Sequence, residues 1–237
     1  LQTYMIHTGV FEPAFEPDVS NREVAEAAGY DIDKIVEKKD RALATEALSN
    51  GMKVLVPQLY KEGKFDGILS FGGSGGTSLV TPAMQKLPIG FPKVMATTVA
   101  SGTRKFDLVV GDKDITVMPA ICDFTGLNIV TRQVISNACA CCVGMVKYAG
   151  KVLEKGDRPV VAVTLMGVTN NGAVAAVEEL ERLGIEVIGF HATGVGGATM
   201  EEMASNGLID GILDLTLHEL TSEYFGGGFS YGSKACI

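Results

Sequence analysis

The sequence predicts an α/β fold with two parallel sheets, each flanked by helices, and three observations carry that prediction. Short apolar runs alternate with segments of helical period, the pattern that places parallel strands under crossover helices. Glycines, 29 in 237 residues, gather just after the apolar runs, where α/β proteins carry ligand loops. The alternation pauses at the turn Gly156-Asp157-Arg158-Pro159 and restarts after it, dividing the chain into residues 1–156 and 157–237. Two such runs read as two Rossmann-like subdomains facing a ligand cleft.

The elements follow in order. Thr3–His7 reads as a strand, and the prolines of Phe11–Pro17 fix an extended loop. Ser20 followed by Glu23 fits a capping box opening a helix that ends near Gly29. Arg41–Tyr60 carries Leu43, Leu48, Met52, Leu55 and Leu59 at helical spacing, with Pro57 expected to kink or end it. Asp66–Phe71 is a short apolar strand and Thr77–Gln85 a helix; Pro92–Val99 is a strand, and Asp107–Val110 reads as another. Pro119–Glu154 reads as helical, broken near Gly126-Leu127-Asn128. After the boundary come strand Val160–Met166, helix Ala173–Leu183, strand Glu186–Phe190, helix Met200–Asn206 closed by Gly207, and strand Gly211–Leu215.

Composition narrows the function. Apolar residues make up 46% and charged residues 20%, which fits a folded chain. A net charge of −8 repels phosphodiester backbones, so nucleic acid is not an expected partner. A phosphate ligand would then be held by backbone N–H groups and helix N-termini. The five cysteines are odd in number and three crowd into one apolar stretch, which argues against a disulfide framework and for a reducing, cytoplasmic setting. Cys139-Ala140-Cys141-Cys142 lacks a second pair at zinc spacing and reads as a helix contact, so no metal site is expected there. No signal peptide and no apolar run long enough to cross a membrane are read, and a membrane is not expected as partner.

The sharpest motif is Gly72-Gly73-Ser74-Gly75-Gly76-Thr77. Its glycines permit positive φ and close approach of a ligand, and Ser74 and Thr77 add hydroxyls. With the first N–H groups of the next helix they make an anion nest without a lysine. It is neither a Walker A loop nor G-x-G-x-x-G, and a tight strand-to-helix turn is its plain alternative. A second glycine loop, His191-Ala192-Thr193-Gly194-Val195-Gly196-Gly197, repeats the strand–glycine–helix order and could hold a second phosphate or a carboxylate. Gly167 and Thr169 follow the strand after the boundary, and Thr98 and Ser101 belong to the polar stretch Thr97–Thr103 at the end of the strand Pro92–Val99. All four loops lie at carboxyl ends of strands, where open parallel sheets bind ligands. Asp112, Asp114, Asp214 and Glu219 are candidate acid/base groups, or partners for Mg²⁺ beside a phosphate.

At these loops the chain resembles the ATP-binding domain family named after the tomato mosaic virus resistance protein. The matching stretches are 72–79, 87–93, 98–102, 167–169 and 190–197, continuing through Met200-Glu201 and into 211–216. The resemblance implies two Rossmann-like subdomains, ATP in the cleft between them, and a homodimer. Glu219 matches the acid that follows the family's threonine-rich run. Family members open with a strand and helix that would precede Leu1, so the nucleotide-binding subdomain is expected to lack them. Three functions stay open: ATP binding with or without hydrolysis; an enzyme acting on a phosphorylated or carboxylated small molecule, with His191, Asp114 or Glu219 moving protons; and a protein-interaction module.

Overall fold

A computed structural model describes residues 2–100, 107–148 and 155–228 of the chain. It divides into two compact units, Leu1–Val152 and Leu153–Ile237.

The first unit opens with three helices: α1 (Asn21–Glu26), α2 (Ile32–Lys38) and α3 (Arg41–Lys61). The expected capping box is present: the Ser20 hydroxyl accepts from the Glu23 N–H, and the Glu23 carboxylate accepts from the Ser20 N–H. The Ser20 N–H and the Ser20 hydroxyl, which also donates to that carboxylate, hold the Glu23 carboxyl below its ordinary range. Asp31 and Asp40 are the N-caps of α2 and α3, their carboxylates accepting from the Asp33 N–H and from the Ala42 and Leu43 N–H groups. Arg22 pairs with Asp33 to tie α1 to α2, and its hydrogen bond lowers the Asp33 carboxyl. The long α3 runs through Pro57 to Lys61.

Next come β1 (Ile68–Gly72), α4 (Ser74–Met84), β2 (Lys93–Thr97), α5 (Asp107–Val110), β3 (Thr116–Pro119) and α6 (Ile129–Tyr148). The three strands form a parallel sheet in the order β1-β2-β3, with Gly72 opposite Thr97 and Thr97 opposite Pro119 at its carboxyl edge. Alternation across β2 sorts the two faces. Met95 packs with Leu48, Met52, Leu79 and Met84 of α3 and α4, whereas Val94 and Ala96 pack with Val134, Ala138 and Cys142 of α6. Burial raises the Cys142 thiol pKa, which keeps this cysteine an apolar packing group.

Four expectations are corrected in this unit. Thr3–His7 forms no strand and contributes a single parallel bridge, Ile6 to Val19. Asp107–Val110 is one turn of helix, since four residues, three of them apolar, carry too little periodicity to separate the two states. The helix expected from Pro119 begins only at Ile129, and Pro119 instead ends a strand, Thr116–Pro119, that the sequence did not announce. Finally, α6 is long and apolar enough to cross a membrane by length and composition. Its buried stripe Thr131, Val134, Ala138, Cys142 nevertheless has the spacing and the packing of a helix laid on a sheet.

The second unit contains β4 (Val160–Leu165), a short 3-10 turn at Gly167–Thr169, α7 (Asn170–Arg182), β5 (Glu186–His191), α8 (Val195–Ser205), β6 (Gly211–Leu213) and α9 (His218–Phe225). Its parallel sheet has the order β5-β4-β6. Asp210 anchors the start of β4 by accepting from the Val160 N–H at 2.8 Å and pairing with Lys155; these contacts, the lysine's first, lower its carboxyl.

Lys93 begins β2 and is fully buried. Its ammonium donates to the Pro88 and Phe91 carbonyls at 2.7 and 2.9 Å and pairs with Asp114 at 2.7 Å; the other Asp114 oxygen accepts from the Gly90 N–H. Asp114 therefore neutralises a buried cation at the amino end of β2, a whole strand away from the loop edge, and this geometry does not suit the proton transfer expected of it. Replacing Asp114 with Ala leaves that charge underneutralised. It is expected to cost about 2 to 3 kcal/mol by chemical denaturation, with Lys93→Met on the same background recovering most of the loss.

Candidate functional site

The loop Gly72–Thr77 is mostly helix. Gly72 closes β1, Gly73 is the N-cap, and Ser74 to Thr77 form the first turn of α4. None of its four glycines takes positive φ, so conformational freedom is not why they are there. Close approach is. A Cβ on Gly72 would lie 3.1 Å from the Gly76 Cα, and one on Gly75 would lie 3.2 Å from Arg41 Nη2. Gly73 supplies no side-chain cap, so the first-turn N–H groups of Ser74, Gly75 and Gly76 receive none from it.

Thr77 turns out to be a framework residue. Its hydroxyl donates to the Gly73 carbonyl at 2.7 Å and lies 2.5 Å from the Thr97 hydroxyl, which in turn accepts from the Val99 N–H at 3.1 Å. At 2% exposure this relay locks α4 to β2, and it leaves the Thr77 hydroxyl proton committed away from any ligand. The Thr98 N–H donates to the Gly72 carbonyl at 3.1 Å, which brings Thr98 beside the glycines. Ser101 lies outside the described residues.

Folding adds what no motif announced. Arg41, the first residue of α3, and Lys53 three turns on line a groove of about 870 Å³ together with Glu46, Ser74, Gly75 and Ser78. No carboxylate pairs with Arg41 or Lys53 among the described residues. The groove thus joins two cations, the Glu46 carboxylate, three serines (Ser49, Ser74 and Ser78) and the positive end of a helix macrodipole. A second, more apolar cavity of about 690 Å³ adjoins it, sharing Arg41, Thr45 and Gly75 and lined by Val10, Phe11, Ile35, Leu48 and Leu79.

In the second unit, Gly167 and Thr169 form the 3-10 turn after β4. The Thr169 hydroxyl accepts from the Met166 N–H at 3.2 Å and lies 2.9 Å from that of Thr216. Thr164 donates to Asp214 at 2.5 Å and accepts from the Thr216 N–H at 3.1 Å. Asp214 and Thr169 are thus joined through threonines that fasten β6 to β4. His191 ends β5 and is exposed. Thr193 and Gly194 turn the chain into α8, Gly194 at φ 94°, and Gly196 and Gly197 lie in the first turn of that helix. A Cβ on Gly196 would fall on the His191 carbonyl.

The anion nest expected at this second loop is filled from within. Glu219 Oε1 accepts from the Gly194 N–H at 2.5 Å and from the Gly197 N–H at 3.0 Å, in a residue only 8% exposed. A Cβ on Gly197 would fall on Glu219 Oε2. Here the glycines make room for a carboxylate of the chain itself, so Glu219 acts as a helix cap and a second phosphate has no vacant N–H pair to meet.

Comparison with known proteins gives one consistent result. The model of the uncharacterised protein family (UPF0261) N-terminal domain matches residues 1–151, and that of the family's C-terminal domain matches residues 158–236. A UPF0261 protein of Clostridium tetani (strain Massachusetts / E88) is 43% identical over 98% of this chain and 57% of its own length. A UPF0261 protein of Rhizobium meliloti (strain 1021) is 34% identical over 94% of this chain and 54% of its own. The ToMV resistance protein Tm-1(GCR237) of Solanum lycopersicum is 38% identical over 79% of this chain and 25% of its own. The chain spans little more than half the length of the bacterial relatives and a quarter of the tomato protein.

Proposed function

The chain belongs to the uncharacterised protein family UPF0261, and from that premise we propose that it binds the phosphates of ATP at the N-terminus of α4, in a Rossmann-like unit. The observation that carries this reading is the convergence of the Arg41 guanidinium on Gly75, where the helix presents N–H groups that its N-cap leaves uncapped. Arginine over a helix N-terminus suits a polyphosphate in both charge and hydrogen-bond direction. The adjoining apolar cavity has the size and lining for a purine, which puts the base beside Val10, Ile35 and Leu79 and the phosphates beside Ser74 and Ser78. Glu46, on the rim of the same groove, is placed to share a Mg²⁺ with those phosphates.

A thermal-shift series tests the ligand class. ATP, ADP, AMP, adenosine and a set of sugar phosphates are each added to the intact chain. Stabilisation rising with phosphate number, and reaching about 2.7 kcal/mol for ATP at a hundredfold excess over Kd, is the expected result. Stabilisation by sugar phosphates with no response to nucleotides would replace this reading with that of an enzyme acting on a phosphorylated metabolite.

A further inference from the structure

The loop that leads into α1 holds an aromatic ring in solvent on a backbone that is pinned. Phe11 is 75% exposed, whereas its neighbour Val10 packs against the core of the first unit. The chain around Phe11 is fixed from two sides. Asn21, buried at the start of α1, donates its amide to the Gly9 carbonyl at 2.8 Å and to the Phe11 carbonyl at 3.5 Å. His7 Nε2 donates to the same Phe11 carbonyl at 2.7 Å, and the His7 ring meets Phe15 edge-on at 6.1 Å. Gly9 permits that fold-back, since a Cβ there would lie 2.8 Å from His7 Cε1. Two side chains therefore hold one carbonyl in place while the ring of the same residue stays uncovered. Covering that ring would gain the hydrophobic stabilisation that the chain alone forgoes.

Phe11 also lines the apolar cavity beside the α4 groove, with Leu48, Leu79 and Gly75 among its other walls. Two polar side chains of that lining are already committed. Asp40 accepts from the Ala42 and Leu43 N–H groups, and Thr45 donates to the Arg41 carbonyl. What the cavity offers a flat heterocycle is chiefly apolar surface and one aromatic face. We propose that Phe11 stacks on the base of the nucleotide, and that His7 is a positioning residue that holds the Phe11 backbone for that contact. The inference rests on the nucleotide reading of the α4 groove and adds to it the determinant of base choice. Stacking requires only a π-face, so adenine and guanine are both accepted, and the larger ring system of a purine is favoured over a pyrimidine. The pinned backbone lowers the ordering cost of the contact, because only the two side-chain torsions of Phe11 are left to fix.

The test is calorimetry on the full chain with ATP, GTP, CTP and inorganic tripolyphosphate. Tripolyphosphate reads the α4 groove alone, and the nucleotides add the base. Phe11→Ala is expected to weaken ATP and GTP on the order of tenfold, CTP by less, and tripolyphosphate not at all. Phe11→Tyr, which keeps the aromatic face, should bind ATP as wild type does. His7→Ala should weaken ATP by a smaller factor with tripolyphosphate unchanged, and His7→Gln, which keeps a side-chain N–H donor, should recover that loss. A merely structural role for either residue would move ATP and tripolyphosphate together. Phe11→Ala binding ATP as tightly as wild type, or losing ATP and tripolyphosphate by the same factor, would overturn the proposal while leaving the α4 groove standing. Wild type binding neither ATP nor tripolyphosphate would overturn the nucleotide reading and this inference with it, so the two failures are told apart.

Discussion

Arg41→Glu is expected to weaken ATP binding by roughly 10- to 150-fold in calorimetry, the worth of about 1.5 to 3 kcal/mol for hydrogen bonds to a charged group. The substitution should do so without unfolding anything. Arg41 is exposed, has no ion-pair partner among the described residues, and is the first residue of a 21-residue helix. An acid at that position complements the helix macrodipole, so the melting temperature should hold or rise slightly. Affinity lost at unchanged stability separates a ligand contact from a framework one. Thr77→Ala offers the contrast: its hydroxyl bridges Gly73 and Thr97, so its loss should lower stability first and touch affinity only through the position of α4.

Gly51→Val is expected to be the most destabilising single change in the first unit, costing about 3 kcal/mol or more in chemical denaturation. Gly51 lies buried in the middle of α3, where glycine is ordinarily unfavourable by about 1 kcal/mol relative to alanine. It is there because α1 crosses α3 at this point. A Cβ on Gly51 would fall on the Val24 carbonyl oxygen, with the Val24 carbonyl carbon 2.6 Å away, and a backbone group cannot rotate aside as a side chain can. Even Gly51→Ala should therefore lose stability despite its better helix propensity. A stability gain in Gly51→Ala would mean that α1 moves away at little cost.

Much of the scaffold was legible because its signals are local. Ser20 and Glu23 announce a capping box from four residues, and the strands expected at 66–71, 92–99 and 160–166 overlap the observed Ile68–Gly72, Lys93–Thr97 and Val160–Leu165, because runs so short between turn residues leave no room for a helix face. The errors fall where local signals are weak or shared. Asp-Leu-Val-Val at 107–110 is β-branched enough to suggest a strand, yet it is a helical turn whose Val109 carbonyl accepts from Gln85 at 2.9 Å. Strand β3 has four residues, ends at Pro119, and follows a polar turn, so nothing in its length or alternation marks it.

The site was half legible. The glycine loop after β1 is visible in sequence, but the purpose of its glycines is not: they serve contact with Arg41 and packing within α4 rather than positive φ. Arg41 lies 34 positions before Gly75, and only the packing of α3 on α4 brings them together. The second loop looked like a copy of the first, and its backbone is indeed a nest. What fills that nest is Glu219, whose reach back to Gly194 is a tertiary fact that no spacing rule encodes.

The most direct test of the nucleotide reading is an ATP titration of the wild-type chain followed at individual backbone amides by NMR. Saturable shifts are expected at Ser74, Gly75 and Gly76, accompanied by residues 41–53 of α3, with the Gly194 and Gly197 amides still held by Glu219. ATP that binds while Ser74, Gly75 and Gly76 stay unmoved, or that shifts no amide at millimolar excess, would contradict it.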